Sequence, residues 1–235
     1  MERIHFENLD VLLGRGVRID LDSVYAKLVE AKRGGYCYEH ATLFCAGLQH
    51  AGFTPRLHSA RVIMVTPRPA SSRTHMFLSV TLDGTTYVLD PGFGGHGPLV
   101  PVPLVENQDV RDGPDVHRMV RRDGEWVLEA QIGGAMMPLW MSTLEAESPI
   151  DFVMANHFTA TWAESPFVQR LMLRALTKDG RVSVMNRDVT VARNGGLEKK
   201  ALADRTALRA LLAGEFGIDL PEVERIRVPT VPEWT

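Results

Sequence analysis

Residues 75–90 have the sequence HMFLSVTL-DG-TTYVLD, which predicts a β-hairpin. Two runs rich in β-branched and aromatic residues flank Asp83-Gly84, which is among the strongest two-residue signals for a β-hairpin. With this turn, Leu82 pairs with Thr85, Asp90 faces Phe77 and His75 faces Gly92. His75 and Asp90 then become diagonal neighbours on one face of the sheet, within reach of a hydrogen bond. A turn one residue longer or shorter would put them on opposite faces.

The same kind of turn signal recurs later in the chain. Asp123-Gly124 separates VHRMVRR from EWVLEA, and a three-residue loop, Lys178-Asp179-Gly180, separates LMLRALT from RVSVMN. Helical spacing of apolar residues predicts three helices. We expect one capped by Asp22, one that follows Gly34-Gly35 and stops at Gly52, and one from Asp204 to Gly214.

Helices at the start, hairpins in the middle and a mixed tail are typical of an α+β fold rather than a doubly wound parallel sheet. The change of period places soft domain boundaries near residues 55 and 160. We therefore expect a helical domain over residues 1–55, a β-rich domain over 56–160 and a third domain over 161–235.

Composition narrows the class of protein and its partners. The 235 residues are 45% hydrophobic and 23% charged, with a formal net charge of −3, which is typical of a globular chain. This charge gives no reason to expect binding to nucleic acid or to an anionic membrane, so we expect a small-molecule partner. Two cysteines, no readable secretory signal and no apolar run of about 20 residues predict a cytoplasmic protein.

Cys37 is the first candidate for chemistry, because it directly follows Arg33-Gly34-Gly35-Tyr36 and should begin a helix. The unpaired N–H groups and the positive dipole end of a helix start favour the thiolate form of a cysteine, which is its nucleophilic form. The alternative is a buried small apolar residue, which we expect for Cys45. A nucleophilic cysteine needs a base and an orienting group, and His75 with Asp90 would supply both. The alternative for that pair is an ordinary surface ion pair.

Two other signals fail when their sequence context is considered. The stretch Gly92-Phe93-Gly94-Gly95-His96-Gly97 matches G-x-G-x-x-G, but Pro98 and a proline-rich run follow it instead of a helix. A dinucleotide site requires that helix, so we interpret the segment as a flexible loop. The histidines lack the H-E-x-x-H pattern and any zinc-like pairing with cysteine, so we expect no metal.

Taken together, these residues form motifs that resemble the arylamine N-acetyltransferases of the bacterial type. The matching motifs are Arg33-Gly34-Gly35-Tyr36-Cys37-Tyr38-Glu39-His40, Thr74-His75 and Leu89-Asp90-Pro91-Gly92-Phe93-Gly94. Weaker matches are Phe6-Glu7-Asn8-Leu9-Asp10, Gly52-Phe53, Arg61-Val62 and Glu164-Ser165-Pro166-Phe167. The resemblance covers essentially the whole chain.

The resemblance implies an α+β protein with an N-terminal helical bundle, a central antiparallel β-barrel and a C-terminal α/β lid, with a Cys-His-Asp arrangement like that of cysteine proteases. It also implies ping-pong chemistry: Cys37 takes an acetyl group from acetyl-CoA, and an arylamine, a hydrazine or hydrazide, or an arylhydroxylamine then removes it. In this scheme His75 exchanges the protons and Asp90 orients the imidazole. Backbone N–H groups near Cys37 would stabilise the oxyanion.

The resemblance implies further binding residues. Phe6, Phe93 and Phe167 match aromatic positions that line the acceptor pocket, with core packing as the alternative for Phe6 and Phe167. Thr74, Gly92 and Gly94 match the region that approaches the thioester arm of CoA. Assembly into a homodimer is the one protein–protein association that we consider for this chain.

Three departures from the family pattern stand out. Ala41 replaces a common asparagine, and Pro91 replaces a small or branched apolar residue. Only Met1 to His5 precede the Phe6-Glu7-Asn8-Leu9 segment, so the N-terminus looks shortened and we expect some apolar surface to be uncovered. The alternatives to an acetyltransferase are a macrocycle-forming amide synthase of the same family, a catalytically impaired binding-only homologue and a cysteine hydrolase.

Overall fold

The computed structural model describes residues 3–113, 115–177 and 179–234. The chain divides into two compact units. We call them the terminal unit, Met1–Tyr36 with Asn156–Thr235, and the middle unit, Cys37–Ala155. The domain boundaries expected near residues 55 and 160 stay a prediction.

Helices and strands are both abundant in the described residues. The helices are α1 (Leu9–Leu12), α2 (Leu21–Tyr25), α3 (Cys37–His50), α4 (Pro149–Thr161), α5 (Pro166–Gln169) and α6 (Arg205–Leu211). The strands are β1 (Phe6–Glu7), β2 (Arg56–Val62), β3 (Arg73–Leu82), β4 (Thr85–Leu89), β5 (Val102–Pro103), β6 (Val110–Asp112), β7 (Asp115–Arg122), β8 (Glu125–Ile132), β9 (Ala135–Ser142), β10 (Met172–Thr177), β11 (Gly180–Met185), β12 (Asp188–Arg193) and β13 (Gly196–Ala201). Single π-helical turns follow α2 and α6, at Ala26–Glu30 and Leu212–Phe216.

The middle unit is built on an eight-stranded antiparallel sheet with the strand order β5-β4-β3-β2-β9-β8-β7-β6. An isolated bridge from Glu106 to Met119 brings the two ends of this order close together, so the sheet forms a nearly closed barrel. Its interior is filled by buried apolar side chains, among them Phe77, Leu128 and Trp140. Helix α3 packs against β3 and β2.

The β3–β4 hairpin has the predicted register. Leu82 pairs with Thr85 and Leu78 with Leu89. Asp83 and Gly84 have φ angles of 50° and 80°, as a type I′ turn requires at both central positions. The ladder ends at Leu89, so the expected pairings of Asp90 with Phe77 and of His75 with Gly92 are not formed. Pro91 has no N–H group with which to continue a ladder, which accounts for the early end.

The terminal unit contains a second antiparallel sheet, in the order β1-β10-β11-β12-β13. Phe6 pairs with Arg174 and Glu7 with Leu173, so the first strand of the chain joins a sheet formed by residues beyond 170. Apolar residues of this sheet pack against α6 and the segments that follow it, including Leu208, Leu212 and Trp234. The expected α+β class with a central antiparallel barrel is confirmed by these two sheets and their helices.

Three details differ from expectation. Helix α2 is capped by Asp20, whose carboxylate accepts from the Ser23 N–H at 3.0 Å, rather than by Asp22. The C-terminal helix is capped by Asp204 as predicted, but it continues past Gly214 as a π-helical turn that ends at Phe216. Gly217, with a φ of 61°, is its C-cap. Thr177 pairs with Gly180, so Gly180 belongs to β11 rather than to the loop; Lys178 lies outside the described residues.

Candidate active site

Cys37 is the first residue of α3, as the glycine pair before it predicts. Its side chain is buried, with 3% of the residue exposed. The Sγ atom lies 3.9 Å from the backbone carbonyl oxygen of Thr74 on β3, which is within the range of a weak S–H···O contact. Strand β3 therefore lies directly against the start of the helix, and it brings its next residue, His75, to the thiol.

His75 and Asp90 meet in a buried hydrogen bond, in which Nε2 of His75 lies 2.8 Å from Oδ2 of Asp90. A carboxylate only accepts, so Nε2 carries the proton and Nδ1 is the nitrogen left to face other groups. Cys37 acts on His75 as one of the groups that raise the pKa of the imidazole. The structure therefore brings the three residues predicted from the sequence together inside the middle unit.

The protonation of His75 follows from these neighbours. Complete burial by itself disfavours the charged imidazolium, but the negative charge of Asp90 and its hydrogen bond, together with Cys37, outweigh this effect and raise the pKa of His75 to about 10. His75 is therefore positively charged at neutral pH. A cationic histidine beside a thiol favours the thiolate, the nucleophilic form of cysteine.

Asp90 is held by two further donors. The indole Nε1–H of Trp140 donates to Oδ2 at 2.9 Å, and the backbone N–H of Gly92 lies 3.4 Å from Oδ1. Trp140, on β9, is fully buried and stacks on Phe77 with ring centroids 4.3 Å apart. Sequence analysis missed this tryptophan, because nothing in the local sequence of β9 points to a carboxylate 50 residues earlier in the chain.

The segment after Asp90 packs directly on the start of α3. A Cβ atom placed on Gly92 would lie 2.5 Å from the Cα of Cys37, so only glycine fits there. One turn further along α3, Nδ1 of His40 lies 3.1 Å from the carbonyl oxygen of Pro91. His40 therefore fixes the same segment from the helix side, a contact that the motif itself did not reveal.

Phe93 follows in the glycine-rich loop and is half-buried. Its ring meets His75 edge-on, with centroids 5.2 Å apart. Of the three phenylalanines proposed for acceptor binding, Phe93 is the one that contacts the histidine within the middle unit. Gly94, expected to approach CoA, is buried in the same loop with a φ of 79°.

Phe6 and Phe167 belong to the terminal unit. Their ring centroids lie 6.3 Å apart, and Tyr36 meets Phe167 edge-on at 5.2 Å. The side chain of Asn8 holds the region of Phe167 in place by donating to the carbonyl oxygens of Phe167 and Arg170 at 2.8 and 2.7 Å. The structure thus groups Phe6 and Phe167 around Tyr36, the residue before Cys37 in sequence.

Arg33, the first residue of the glycine motif, lies in a buried ion cluster of the terminal unit. Its Nη2 atom is 2.7 Å from Oε1 of Glu7 and 3.2 Å from Oδ1 of Asp10. Lys27 contacts the other Asp10 oxygen at 2.8 Å. Burial raises the pKa of Asp10, but Lys27 and Arg33 outweigh it and hold that pKa below its ordinary value. The cluster ties the motif to the Phe6-Glu7-Asn8-Leu9-Asp10 segment.

The described residues contain no group of three or more His, Cys, Asp or Glu side chains placed to hold a metal ion. A helix long and apolar enough to cross a membrane is likewise not found in residues 3–113, 115–177 or 179–234. What the middle unit does contain is a buried thiol, an imidazole beside it and a carboxylate on the far nitrogen of that imidazole. Nucleophilic catalysis by cysteine requires groups in this order.

Comparison with known proteins agrees with this geometry. The sequence model of a family described as N-acetyltransferase matches residues 1–225. The chain is 32% identical to an arylamine N-acetyltransferase of Escherichia coli K12, over 94% of this chain and 79% of the relative. It is 34% identical to that of Mycobacterium tuberculosis H37Rv, over 94% and 80%. The structure matches Mycobacterium marinum arylamine N-acetyltransferase in complex with CoA with a TM-score of 0.88, at 33% identity, covering 94% and 83% of the two chains. The chain belongs to the arylamine N-acetyltransferase family.

Proposed function

We propose that this chain transfers an acetyl group from acetyl-CoA to the nitrogen of arylamines, arylhydrazines or hydrazides, with Cys37 as the nucleophile, His75 as its proton partner and Asp90 as the orienting group. Transfer to the oxygen of arylhydroxylamines follows from the same chemistry. The observation that carries the proposal is the buried series of Cys37, His75 and Asp90, with His75 and Asp90 joined at 2.8 Å.

The first half-reaction begins from the charged pair. The Cys37 thiolate attacks the carbonyl carbon of the acetyl-CoA thioester, and the bond to the CoA sulfur breaks. The departing CoA sulfur takes the proton from His75, which leaves an acetyl-cysteine and a neutral imidazole. Cys37 helps to raise the pKa of His75, so loss of the thiolate on acylation makes this proton easier to release.

The second half-reaction reverses the roles. The acceptor nitrogen attacks the acetyl carbonyl and its proton passes to the neutral His75. The bond to the Cys37 sulfur then breaks and the thiolate leaves, which restores the charged pair. Asp90 holds the imidazole in one orientation throughout, supported by the Trp140 indole. Helix α3 begins at Cys37, so the positive end of its dipole favours the negative sulfur.

Aromatic acceptors suit the surroundings of His75. The half-buried ring of Phe93 lies edge-on to His75 and can contact the ring of an incoming amine next to the thioester. We propose acceptor contacts for Phe6 and Phe167 as well, and contacts to the CoA arm for Thr74, Gly92 and Gly94. A location in the cytoplasm and assembly into a homodimer stay predictions.

A steady-state assay tests the proposal. Release of free CoA from acetyl-CoA is followed with an arylamine, with a hydrazide and with water alone as acceptor. We expect release that requires an acceptor, lost in Cys37→Ala and kept in the matched control Cys45→Ala. Burial raises the pKa of the Cys45 thiol, so that residue is the weaker nucleophile.

Rapid release with water alone would indicate a hydrolase instead. Release that survives in Cys37→Ala would refute the assigned nucleophile. The comparisons do not favour a macrocycle-forming amide synthase or a binding-only homologue.

A further inference from the structure

We propose that His117 is a positioning residue that anchors the glycine-rich loop, Gly92–Gly97, and thereby keeps Phe93 against His75. His117 lies on β7, and no sequence motif points to it. The inference rests on the proposed function, because its kinetic consequence concerns the step in which an aromatic acceptor meets the acetyl-cysteine.

Of the two ring nitrogens of His117, only Nε2 has a hydrogen-bond partner among the residues that the structure describes. The residue is 1% exposed, and its Nε2 atom lies 2.8 Å from the backbone carbonyl oxygen of His96. A carbonyl oxygen only accepts, so Nε2 carries a proton and donates it to His96. Nδ1 is buried without a hydrogen-bond partner among the residues that the structure describes.

A buried polar atom without a partner destabilises a fold, and an apolar side chain at this position would avoid that cost. The benefit that can offset it is the single bond to His96. This hydrogen bond holds the backbone of the glycine-rich loop, and the loop begins at Gly92, which packs on Cys37.

The loop cannot hold its own shape by local preference. Four of its six residues are glycine, which loses more conformational freedom on folding than any other residue. The β6–β7 hairpin supplies two fixed points: His117 bonds the His96 carbonyl oxygen, and Asp112 accepts from the Leu99 N–H at 2.8 Å. His96, which the buried His117 holds, lies nearer along the chain to Asp90 and Phe93 than Leu99, which the exposed Asp112 contact holds.

The hydrogen bond to His96 restrains Phe93 because Gly97, the next residue, packs closely against the Phe93 side chain. A Cβ atom on Gly97 would lie 2.7 Å from Cβ of Phe93, so the backbone beside His96 rests directly on the phenylalanine. The Phe93 ring in turn meets His75 edge-on at 5.2 Å. Releasing His96 therefore loosens the aromatic wall beside His75. The hydrogen bond between His75 and Asp90 involves neither His96 nor His117 and is left in place.

The test compares His117→Leu with His117→Gln. Leucine fills a similar volume but has no donor, whereas the side-chain amide of glutamine can donate from near the position of Nε2. The two half-reactions are measured separately: the burst of CoA release on acetylation of Cys37, and the KM for an arylamine in turnover. Hydrogen exchange of the amides in residues 93–99 reports on the loop without reference to activity.

For His117→Leu we expect the KM for the arylamine to rise by about fivefold or more, which corresponds to the loss of one hydrogen bond, with the burst rate at saturating acetyl-CoA within about twofold of wild type. Exchange in the loop should become faster, and His117→Gln should restore both readouts. Adding Phe93→Leu to His117→Leu should raise KM by less than the product of the two single effects.

Unchanged exchange in a folded His117→Leu protein would overturn the proposal, and so would equal defects in the Leu and Gln variants. If His117→Leu does not fold, His117→Asn replaces it, since the shorter amide does not reach the Nε2 position. Absence of CoA release in the wild type would refute the proposed function alone, because the exchange experiment would still decide whether His117 anchors the loop.

Discussion

The backbone of Gly92 packs so closely on Cys37 that a Cβ atom at position 92 would lie 2.5 Å from the Cys37 Cα atom. Real Cβ contacts essentially never fall below 3.0 Å, and both partners here are backbone atoms that cannot rotate away. The glycine is therefore required for close approach rather than for an unusual backbone angle. This contact joins the segment that carries Asp90 to the helix that carries the thiol.

Gly92→Ala should push the Asp90 segment away from α3 and slow acetylation of Cys37 by tenfold or more, because small displacements of reacting groups are costly. The measurement is the pre-steady-state burst of CoA release. Gly95→Ala is the matched control, since a Cβ on Gly95 meets no atom within 4 Å. Similar burst rates in the two variants would show that the contact has no influence on the site.

Trp140→Phe should lower the acetylation rate by about tenfold, because it removes a donor to the charged Asp90 carboxylate while keeping an aromatic ring in the core. Trp126→Phe is the control, as Trp126 is half-buried on β8 and lies under Arg121 at 5.0 Å. A rate for Trp140→Phe equal to that of the control would mean that Asp90 needs no support from the indole.

Protonation of His75 should affect stability in a pH-dependent way. Its pKa is raised to about 10 in the folded state, above about 6.5 in the unfolded chain, so the charged form stabilises the fold. That stabilisation is complete below about pH 6.5, declines above it and is lost as the pH rises through the folded-state pKa.

The comparison is best made between Cys37→Ala and Cys37→Ala/His75→Gln, in which Asp90 is the remaining group that raises the pKa of His75, so the stabilisation should be lost at a lower pH than in the wild type. Urea unfolding at pH 6, 8 and 10 should show the difference in free energy of unfolding between the two proteins shrinking with pH. A difference that grows with pH would contradict the assignment of a charged His75.

Arg33→Met should destabilise the protein by about 3–5 kcal/mol, because it leaves the fully buried Glu7 carboxylate without its cation. Arg18→Met is the matched control: its pair with Asp20 is exposed to solvent and should contribute little to stability. Both values come from urea denaturation. A small loss for Arg33→Met, comparable to that of the control, would show that the buried cluster is dispensable.

Much of the site could be predicted from the sequence because it depends on short-range geometry. The Asp83-Gly84 turn sets the register of one hairpin, and that register brings His75 and Asp90 to one face. The glycine pair before Cys37 likewise marks the start of α3. These inferences use only neighbouring residues, where local backbone preferences decide the outcome.

The remaining contacts depend on residues far apart in the chain. Trp140 reaches Asp90, His117 reaches His96, and β1 joins β10 only once the sheets have formed. Other features carried local signals that were overlooked. Gly133-Gly134 and Asn194-Gly195 both have positive φ angles at two-residue turns, and both are standard hairpin signals.

The central claim is that Cys37 carries the acetyl group between donor and acceptor, and intact-mass analysis tests it directly. Mixing the protein with acetyl-CoA and no amine should add one acetyl group per chain, and adding an arylamine should remove it. Cys37→Ala should acquire no label, while Cys45→Ala should acquire it as the wild type does. A wild-type protein that gains no acetyl group, or a Cys37→Ala protein that still gains one, would contradict the account.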